Sequence, residues 1–222
     1  MILGFDTATP STVVAVLRDD GAAFERRDDP APGGRPRHAS RLLELVESAL
    51  EDADTSWEAV TRLAVGVGPG GFTGLRIGIA TARALAQARQ LEVTAVSSLM
   101  ALAAGAQHDG VVAAVIDARR GEAFFAAYRG AEALAEPAVL APERLAAAVA
   151  ELPATPLAVG DGALRFRDEL AAAGAAVPAD VDPVHRISAV ALCRLAQTAP
   201  SIPLDALVPD YRRDPDAKPR PR

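Results

Sequence analysis

The sequence predicts an α/β protein built from two copies of one mixed unit that face each other across a cleft. One observation is a repeated order of three strands, a helix and a further strand. A second is the likeness of two apolar segments, Leu63 to Gly68 and Leu157 to Gly162, which differ only at their fifth residue. A third is an aspartate that closes the first strand of each copy, Asp6 and Asp117. Repetition of such a unit favours two packed lobes.

The first half alternates strand patterns and helical patterns in a regular order. Short apolar runs bounded by Gly, Pro, Asp and Ser predict strands, and apolar residues at spacings of three and four predict helices. The predicted elements are strands at 2–6, 13–18 and 22–26, a helix at 39–53, a strand at 63–67, a helix at 74–89 and a strand at 93–96.

The second half follows the same order. Its predicted elements are strands at 111–117, 122–128 and 138–140, a helix at 142–151, a strand at 157–162 and a last helix at 188–197. We therefore divide the chain into an N-terminal lobe at 1–107, a degenerate C-terminal lobe at 108–208 and a tail at 209–222. The tail is rich in Pro and basic residues and has no apolar periodicity, so we expect it to be largely disordered.

Composition limits the classes of function. Half of the 222 residues are hydrophobic but only 4% are aromatic, so small aliphatic side chains must fill the core. No apolar stretch approaches ~18 residues and no basic leader is present, so we expect a soluble cytoplasmic protein without a membrane partner. The net charge of −6 argues against this chain gripping an RNA backbone by itself. Cys193 lies in a helical pattern and is interpreted as a core residue.

The glycine-dense segment from Gly66 to Gly78 joins a predicted strand to a predicted helix. Unpaired N–H groups and the helix dipole converge at such a point, which makes it a candidate anion site. No Lys follows the glycines, so the nucleoside-triphosphate loop is absent, and no carboxylate closes the next strand as the dinucleotide fingerprint requires. The alternative is that the glycines serve only close packing, and the sequence leaves both interpretations open.

Two facing copies of this unit form the duplicated actin-like (ribonuclease H-like) fold, with two βββαβα lobes and a cleft between them. Five blocks then occur in the order typical of one family, and the chain resembles the bacterial TsaB (YeaZ-like) family over residues 1–213. Gly71 and Arg212 depart from the family pattern, which has Ser and an apolar residue there. The blocks are Asp6 to Thr9, Gly68 to Gly78, Val96 to Leu99, Ile116 to Arg120 and Pro209 to Arg213.

The resemblance implies a non-catalytic scaffold or activator subunit, a pseudo-enzyme. With TsaD and the ATPase TsaE, such a subunit is required for threonylcarbamoyl transfer to the adenosine beside the anticodon of tRNAs that read codons beginning with A. The tRNA would be contacted only through the complex. No catalytic residue is assigned to this chain.

The titratable residues agree with that implication. His38, His108 and His185 are remote in sequence and none has a His at the spacing of a metal pair, so no metal site is predicted. In actin-like folds carboxylates at the two strand ends hold hydrated Mg²⁺, so Asp6, Thr7 and Asp117 are the candidate remnants of a nucleotide site. The alternative is that these side chains satisfy turn N–H groups. We expect no tightly bound cofactor, and the assembled complex is the state in which ATP or ADP could bind.

A stripe of small residues marks the predicted helix at 74–89. Gly78 lies inside that helix, where glycine costs about 1 kcal/mol relative to alanine, so a steric demand is indicated. The family resemblance places the TsaD heterodimer interface, or a homodimer interface, on this helix and the helix at 39–53. We expect a bulky residue at Ala82 to block pairing and leave the fold intact. The candidate partner-binding residues are Leu42, Val46, Gly74, Leu75, Gly78, Ile79, Ala82 and Arg83.

Three other classes of protein remain as alternatives. An autonomous ATP-dependent kinase or carbamoyltransferase of the same fold would turn over ATP without a partner protein. A metalloprotease would bind zinc, and a nucleotide-dependent oxidoreductase would bind NAD or NADP.

Overall fold

The computed structural model describes residues 1–31 and 34–212. A 3₁₀ turn, Trp57–Ala59, interrupts the regular elements of the first half. These elements are β1 (Ile2–Asp6), β2 (Thr12–Leu17), β3 (Ala23–Asp28), α1 (His38–Asp52), β4 (Arg62–Gly66), α2 (Phe72–Arg89), β5 (Glu92–Val96) and α3 (Ser98–Gly105).

The second half adds two 3₁₀ turns, Pro183–His185 and Leu204–Ala206. Its regular elements are β6 (Val111–Arg119), β7 (Glu122–Arg129), β8 (Glu132–Leu140), α4 (Pro142–Ala150), β9 (Leu157–Val159), α5 (Asp161–Arg165), α6 (Arg167–Ala172) and α7 (Ala189–Thr198).

The two sheets have matching topologies, which confirms the predicted duplication. The first sheet has the strand order β3-β2-β1-β4-β5 and the second has the order β8-β7-β6-β9. In each, the first strand of the copy pairs antiparallel with the second strand and parallel with the strand that follows the helix. The carboxyl ends of β1 and β6 therefore occupy equivalent positions, as expected for copies of one unit.

The helices form three layers around the two sheets. Helices α1 and α2 cover the outer face of the first sheet, and α4, α5 and α6 cover the outer face of the second. Between the sheets lie α3 and α7, and the central core contains residues from both halves. Helix α3 belongs to the first half but packs on β6 and β7, whereas α7 belongs to the second half and packs on β1 and β2. This exchange of helices joins the two lobes into one body.

The elements that the sequence did not predict are helices without amphipathic periodicity. Helix α3 is buried on most sides, with Leu99, Ala101 and Leu102 in the central core. A helix that is apolar all round shows no 3.6-residue stripe, and the pattern could not be recognised. Helices α5 and α6 are too short for a periodic signal.

Three predicted strand boundaries in the second half were wrong by two residues or more, and in the first half β3 extends two residues beyond its predicted end, to Asp28. Strand β6 continues to Arg119, so Asp117 lies at a bulge before the strand end. Strand β8 begins at Glu132. Strand β9 ends at Val159, because Gly160 adopts a φ of 110° and turns the chain into α5. That conformation is open to glycine and strained for other residues.

The sequence also made expectations about membrane-spanning helices and about Cys193. No helix within residues 1–31 and 34–212 has the length and apolarity needed to cross a bilayer. Cys193 is fully buried in the central core, which confirms its interpretation as a core residue. The predicted disordered tail falls mostly outside the described residues, which end at Arg212.

The small-residue stripe of α2 faces the interior of the chain, which corrects the predicted orientation. A Cβ atom on Gly74 or Gly78 would collide with Thr7, and Ala82 is fully buried in the outer core. Of the eight candidate partner-binding residues, only Arg83 is partly exposed. The other seven are buried in this chain: Leu42, Val46, Gly74, Leu75, Gly78, Ile79 and Ala82. A bulky residue at Ala82 is therefore expected to unfold the chain.

The contact between Gly78 and Thr7 yields a stability prediction. Gly78→Ala places a methyl group against the Thr7 hydroxyl, and we expect the variant to lose about 1–2 kcal/mol of unfolding free energy through overpacking. Thr7→Ala removes the obstacle, so Gly78→Ala should cost less or become stabilising in that background. Urea unfolding of the four proteins of this cycle measures the coupling. An equal cost in both backgrounds would refute the proposed collision.

Candidate functional site

A cleft of about 910 Å³ opens between the two halves where β1 and β6 end. One wall comes from the N-terminal turns of α1 and α2, and the other comes from the end of β6 and from β7. The main lining segments are residues 7–10, 35–40, 70–74, 116–119 and 210–212, with Ile77, Phe124 and Asp161.

Asp6 lies beneath the cleft and is held in a buried hydrogen-bond network. Its Oδ2 accepts from the Ser98 hydroxyl at 2.5 Å, and its Oδ1 accepts from the Ala8 N–H at 2.7 Å. The same Ser98 hydroxyl accepts from the Gly68 N–H at 3.1 Å. Burial raises the pKa of Asp6, and the two hydrogen bonds oppose that shift. The network joins β1, the glycine segment and α3, which are remote in sequence.

The glycine segment packs against the residues that follow β1. A Cβ atom on Gly66 would collide with the Asp6 carboxylate, and one on Gly70 would collide with Ala8. The Thr7 hydroxyl donates to the Gly74 carbonyl at 2.8 Å, and the Gly71 N–H donates to the Ala8 carbonyl at 2.7 Å. Close packing, the second of the two interpretations left open by the sequence, therefore accounts for the glycines. The N–H groups in the first turn of α2 are a feature separate from this packing of the glycines.

Asp117 lines the opposite wall, where two guanidinium groups engage its carboxylate. Arg165 contacts both oxygens at 2.9 Å, and Arg119 lies 3.3 Å away. The neighbouring Asp161 accepts from the Asp117 N–H at 3.0 Å. Burial raises the pKa of Asp161, and the negative charge of Asp117 adds to that shift. A cation at this wall would have to displace an arginine.

His38 is the buried polar residue of the α1 wall. It is 5% exposed, and its Nδ1 lies 2.8 Å from the Thr12 hydroxyl. A Cβ atom on Gly74 would lie 3.1 Å from its Nε2, so that nitrogen sits beside the first turn of α2. Burial lowers the pKa of His38, with the Asp28 carboxylate opposing the shift. Asp28 is itself paired with Arg37.

Residues 202–212, the C-terminal strap, cross from the first half to the second at the edge of the cleft. The Asp210 N–H donates to the Val67 carbonyl, and Arg212 donates to the Pro137 carbonyl at 3.2 Å. Tyr211 stacks on Phe72 with 5.1 Å between the ring centroids. Arg83 donates to the carbonyls of Leu207 and Asp205, which fixes the strap along α2.

The remaining histidines lie apart from the cleft. His185 is buried, and its ring nitrogens contact the Gly160 N–H and the Pro178 carbonyl, each at 3.2 Å. His108 is exposed. Among residues 1–31 and 34–212, no three His, Cys, Asp or Glu side chains are arranged to hold a metal.

The structure brings only part of the predicted nucleotide site to the cleft. Thr7 and Asp117 line the cleft, whereas Asp6 does not. Sequence reasoning missed Ser98 and Arg165, which hold the two aspartates, and it assigned His38 no place in the site. The block from Val96 to Leu99 was a signal for Ser98, since it accompanied the Asp6 block, but its hydrogen-bond partner depends on tertiary packing.

The duplicated sheets, the exchanged helices and the inter-lobe cleft define a protein of the actin-like α/β class. A family model for tRNA N6-adenosine threonylcarbamoyltransferase (TsaD) matches residues 34–181. The solved structure of YeaZ from Pseudomonas aeruginosa is 33% identical and superposes with a TM-score of 0.80, covering 95% of this chain and 98% of that one. The chain belongs to the TsaB (YeaZ) family.

Two named relatives match over a shorter region. The tRNA threonylcarbamoyladenosine biosynthesis protein TsaB of Bacillus subtilis is 34% identical over 62% of this chain and 59% of its own length. The protein of the same name from Escherichia coli is 42% identical over 58% of this chain and 54% of its own length. The match thus spans little more than half the length of these relatives.

The buried Asp6 carboxylate yields a pH prediction. Because burial raises its pKa, the folded chain binds this proton more tightly than the unfolded chain does. Asp6 therefore contributes stability below its unfolded pKa and loses that contribution as the pH rises through its folded pKa. Relative to Asp6→Asn, the wild-type free energy of unfolding should fall with rising pH. Urea unfolding of both proteins between about pH 4 and 8 tests this sign, and a parallel pH dependence would contradict it.

Proposed function

We propose that this chain is a non-catalytic subunit of the machinery that makes threonylcarbamoyladenosine in tRNA. It pairs with a TsaD-type transferase, and TsaE joins the pair. The main support is likeness to YeaZ over nearly the whole of both chains, together with the names of the two TsaB relatives. The tRNA is contacted through the assembled complex, since the chain carries a net charge of −6.

The chemistry of the cleft supports a non-catalytic role. In a working nucleotide site of this fold, carboxylates at the ends of β1 and β6 face the cleft and hold a hydrated cation. Here Asp6 is buried on Ser98, and Asp117 is bound by Arg165 and Arg119. Both carboxylates are engaged in holding the fold. In this proposal ATP or ADP belongs to the assembled complex, and the isolated chain holds no cofactor tightly.

The outward faces of α1 and α2 are the surface that we assign to the partner. Helix α1 presents Leu43, whose exposure is 53%. Helix α2 presents the exposed alanines Ala80 and Ala84, with the half-buried Ile77 on the same side. Small and apolar side chains on adjacent helices allow close approach of another helical surface. The partner-facing residues thus lie on the side of α2 opposite to the glycine stripe.

Reconstitution with purified proteins tests the assigned role. We expect no threonylcarbamoylation of an unmodified tRNA and no appreciable ATP hydrolysis by this chain alone. Activity should appear when TsaD, TsaE and the threonylcarbamoyl adenylate are added, and it should fall when this chain is omitted. Robust turnover by the single chain would favour the autonomous kinase or carbamoyltransferase. A complete complex that is equally active without this chain would remove the scaffold role.

A substitution on the outward face of α2 tests the partner surface. Ala84→Trp places a large ring on an exposed position and should abolish co-elution with TsaD, because a closely packed helix pair cannot admit it. Ala147→Trp, at an alanine of α4 that is also exposed, is the matched control and should co-elute normally. Circular dichroism establishes folding of both variants. Normal co-elution of folded Ala84→Trp would place the interface elsewhere.

A further inference from the structure

A buried imidazole joins the start of α5 to the loop that precedes α7. His185 is 7% exposed, and its Nδ1 accepts from the Gly160 N–H at 3.2 Å. Because Nδ1 is an acceptor there, the proton of the neutral ring lies on Nε2, which donates to the Pro178 carbonyl at 3.2 Å. Both ring nitrogens thus contact backbone groups, and one tautomer of the neutral imidazole satisfies the two contacts together.

The backbone at Gly160 is packed so closely that its N–H group has a fixed direction. Gly160 is buried, and a Cβ atom on it would collide with the Val115 carbonyl of β6. A buried N–H group needs an acceptor, and the His185 ring is the acceptor in this case. Helix α5 begins directly after Gly160 and carries Arg165, which holds Asp117 at the wall of the cleft. The imidazole therefore supports the position of α5.

A second proton on the His185 ring is incompatible with this arrangement. In the imidazolium both nitrogens are donors, so Nδ1 would present an N–H group to the Gly160 N–H. The Pro178 carbonyl already accepts from Arg167 Nη2 at 2.7 Å, so the new positive charge would also lie beside a guanidinium. The buried ring has little water around it to solvate that charge. Protonation therefore requires the ring to leave its place.

The charged side chains packed around the ring are engaged with other groups. Helix α3, which packs on the 3₁₀ turn of His185, contributes none, since Ser98–Gly105 contains no charged residue. On the segment of His185 itself, the Asp182 carboxylate accepts from the Val184 N–H at 3.0 Å. The other charged neighbours and their partners are Asp180 with Arg167, Asp161 with the Asp117 N–H, Arg165 with the Asp117 carboxylate, and Arg186 with Asp29.

We propose that His185 is a proton-sensitive joint between residues 177–185 and the start of α5. The neutral ring holds the joint closed, and the imidazolium opens it, because the acceptor of the Gly160 N–H becomes a donor. An unperturbed histidine changes charge at about pH 6.5, so the open form gains population as the pH falls below that value. The joint belongs to the isolated chain and is independent of the proposed function.

Opening of the joint is local, because the chain is anchored again just beyond it. The Glu25 carboxylate of β3 accepts from the Ser188 hydroxyl at 3.0 Å and from the Val190 N–H at 3.1 Å. These bonds involve no histidine, and they hold the first turn of α7 on the first sheet. The opening thus affects residues 177–185 and the start of α5, and it loosens the wall of the cleft on which Arg165 holds Asp117.

Amide hydrogen exchange of the full chain, followed by NMR between about pH 7.5 and about pH 5.5, tests the joint. Corrected for the intrinsic pH dependence of exchange, the protection of the Gly160 amide should fall about tenfold, as expected when the open form alone binds one more proton. The Val190 amide is the internal reference and should keep its protection. Unchanged protection of Gly160 would overturn the proposal, and so would an equal loss at both amides.

Two substitutions separate the proton from the packing. His185→Asn keeps an oxygen acceptor near the Nδ1 position and cannot be protonated, so Gly160 protection should vary with pH no more than Val190 protection does. His108→Asn removes an exposed histidine and should leave the tenfold fall at Gly160 intact. The same fall in folded His185→Asn would refute the role of the ring. If that variant does not fold, the comparison of the two amides in the wild type still decides.

Discussion

The Asp6 carboxylate and the two residues after it organise the first half of this protein. Asp6 bonds to Ser98, and Ser98 bonds to the glycine segment, so three distant parts of the chain meet at one buried carboxyl group. Thr7 and Ala8 then lie against the glycines of the same segment. A buried carboxylate is tolerated only with such hydrogen bonds, and each partner is therefore constrained by the others. The position of α2 relative to β1 depends on this network.

The exchange of α3 and α7 between the halves explains why the duplicated units do not behave as separate domains. Each unit buries the inner face of its sheet against a helix from the other unit, and the shared core lies between. Removing either half would expose the apolar face that the other half covers. The walls of the cleft are therefore anchored to one continuous core, and its edge is crossed by the C-terminal strap.

The two walls of the cleft differ in their chemistry although they derive from copies of one unit. The wall from the second half has its carboxylate bound by arginines, and the wall from the first half presents two helix ends and a buried imidazole. This asymmetry agrees with the proposed role as a subunit that supports a related transferase.

The sequence by itself determined the duplicated α/β architecture and most element positions, because alternation and helical spacing are local properties of the chain. It also determined the family, since the residues of the glycine block and of the aspartate blocks are themselves typical of that family. It could not decide which way α2 faces. A stripe of Gly and Ala is compatible with a partner or with the chain's own strand, and only the position of Thr7 settles the choice. Helix α3 escaped detection because burial on most sides, with apolar residues all round, removes periodicity. The roles of Asp6, Asp117 and His38 likewise depended on Ser98, Arg165 and Thr12, which only tertiary packing brings within hydrogen-bond distance.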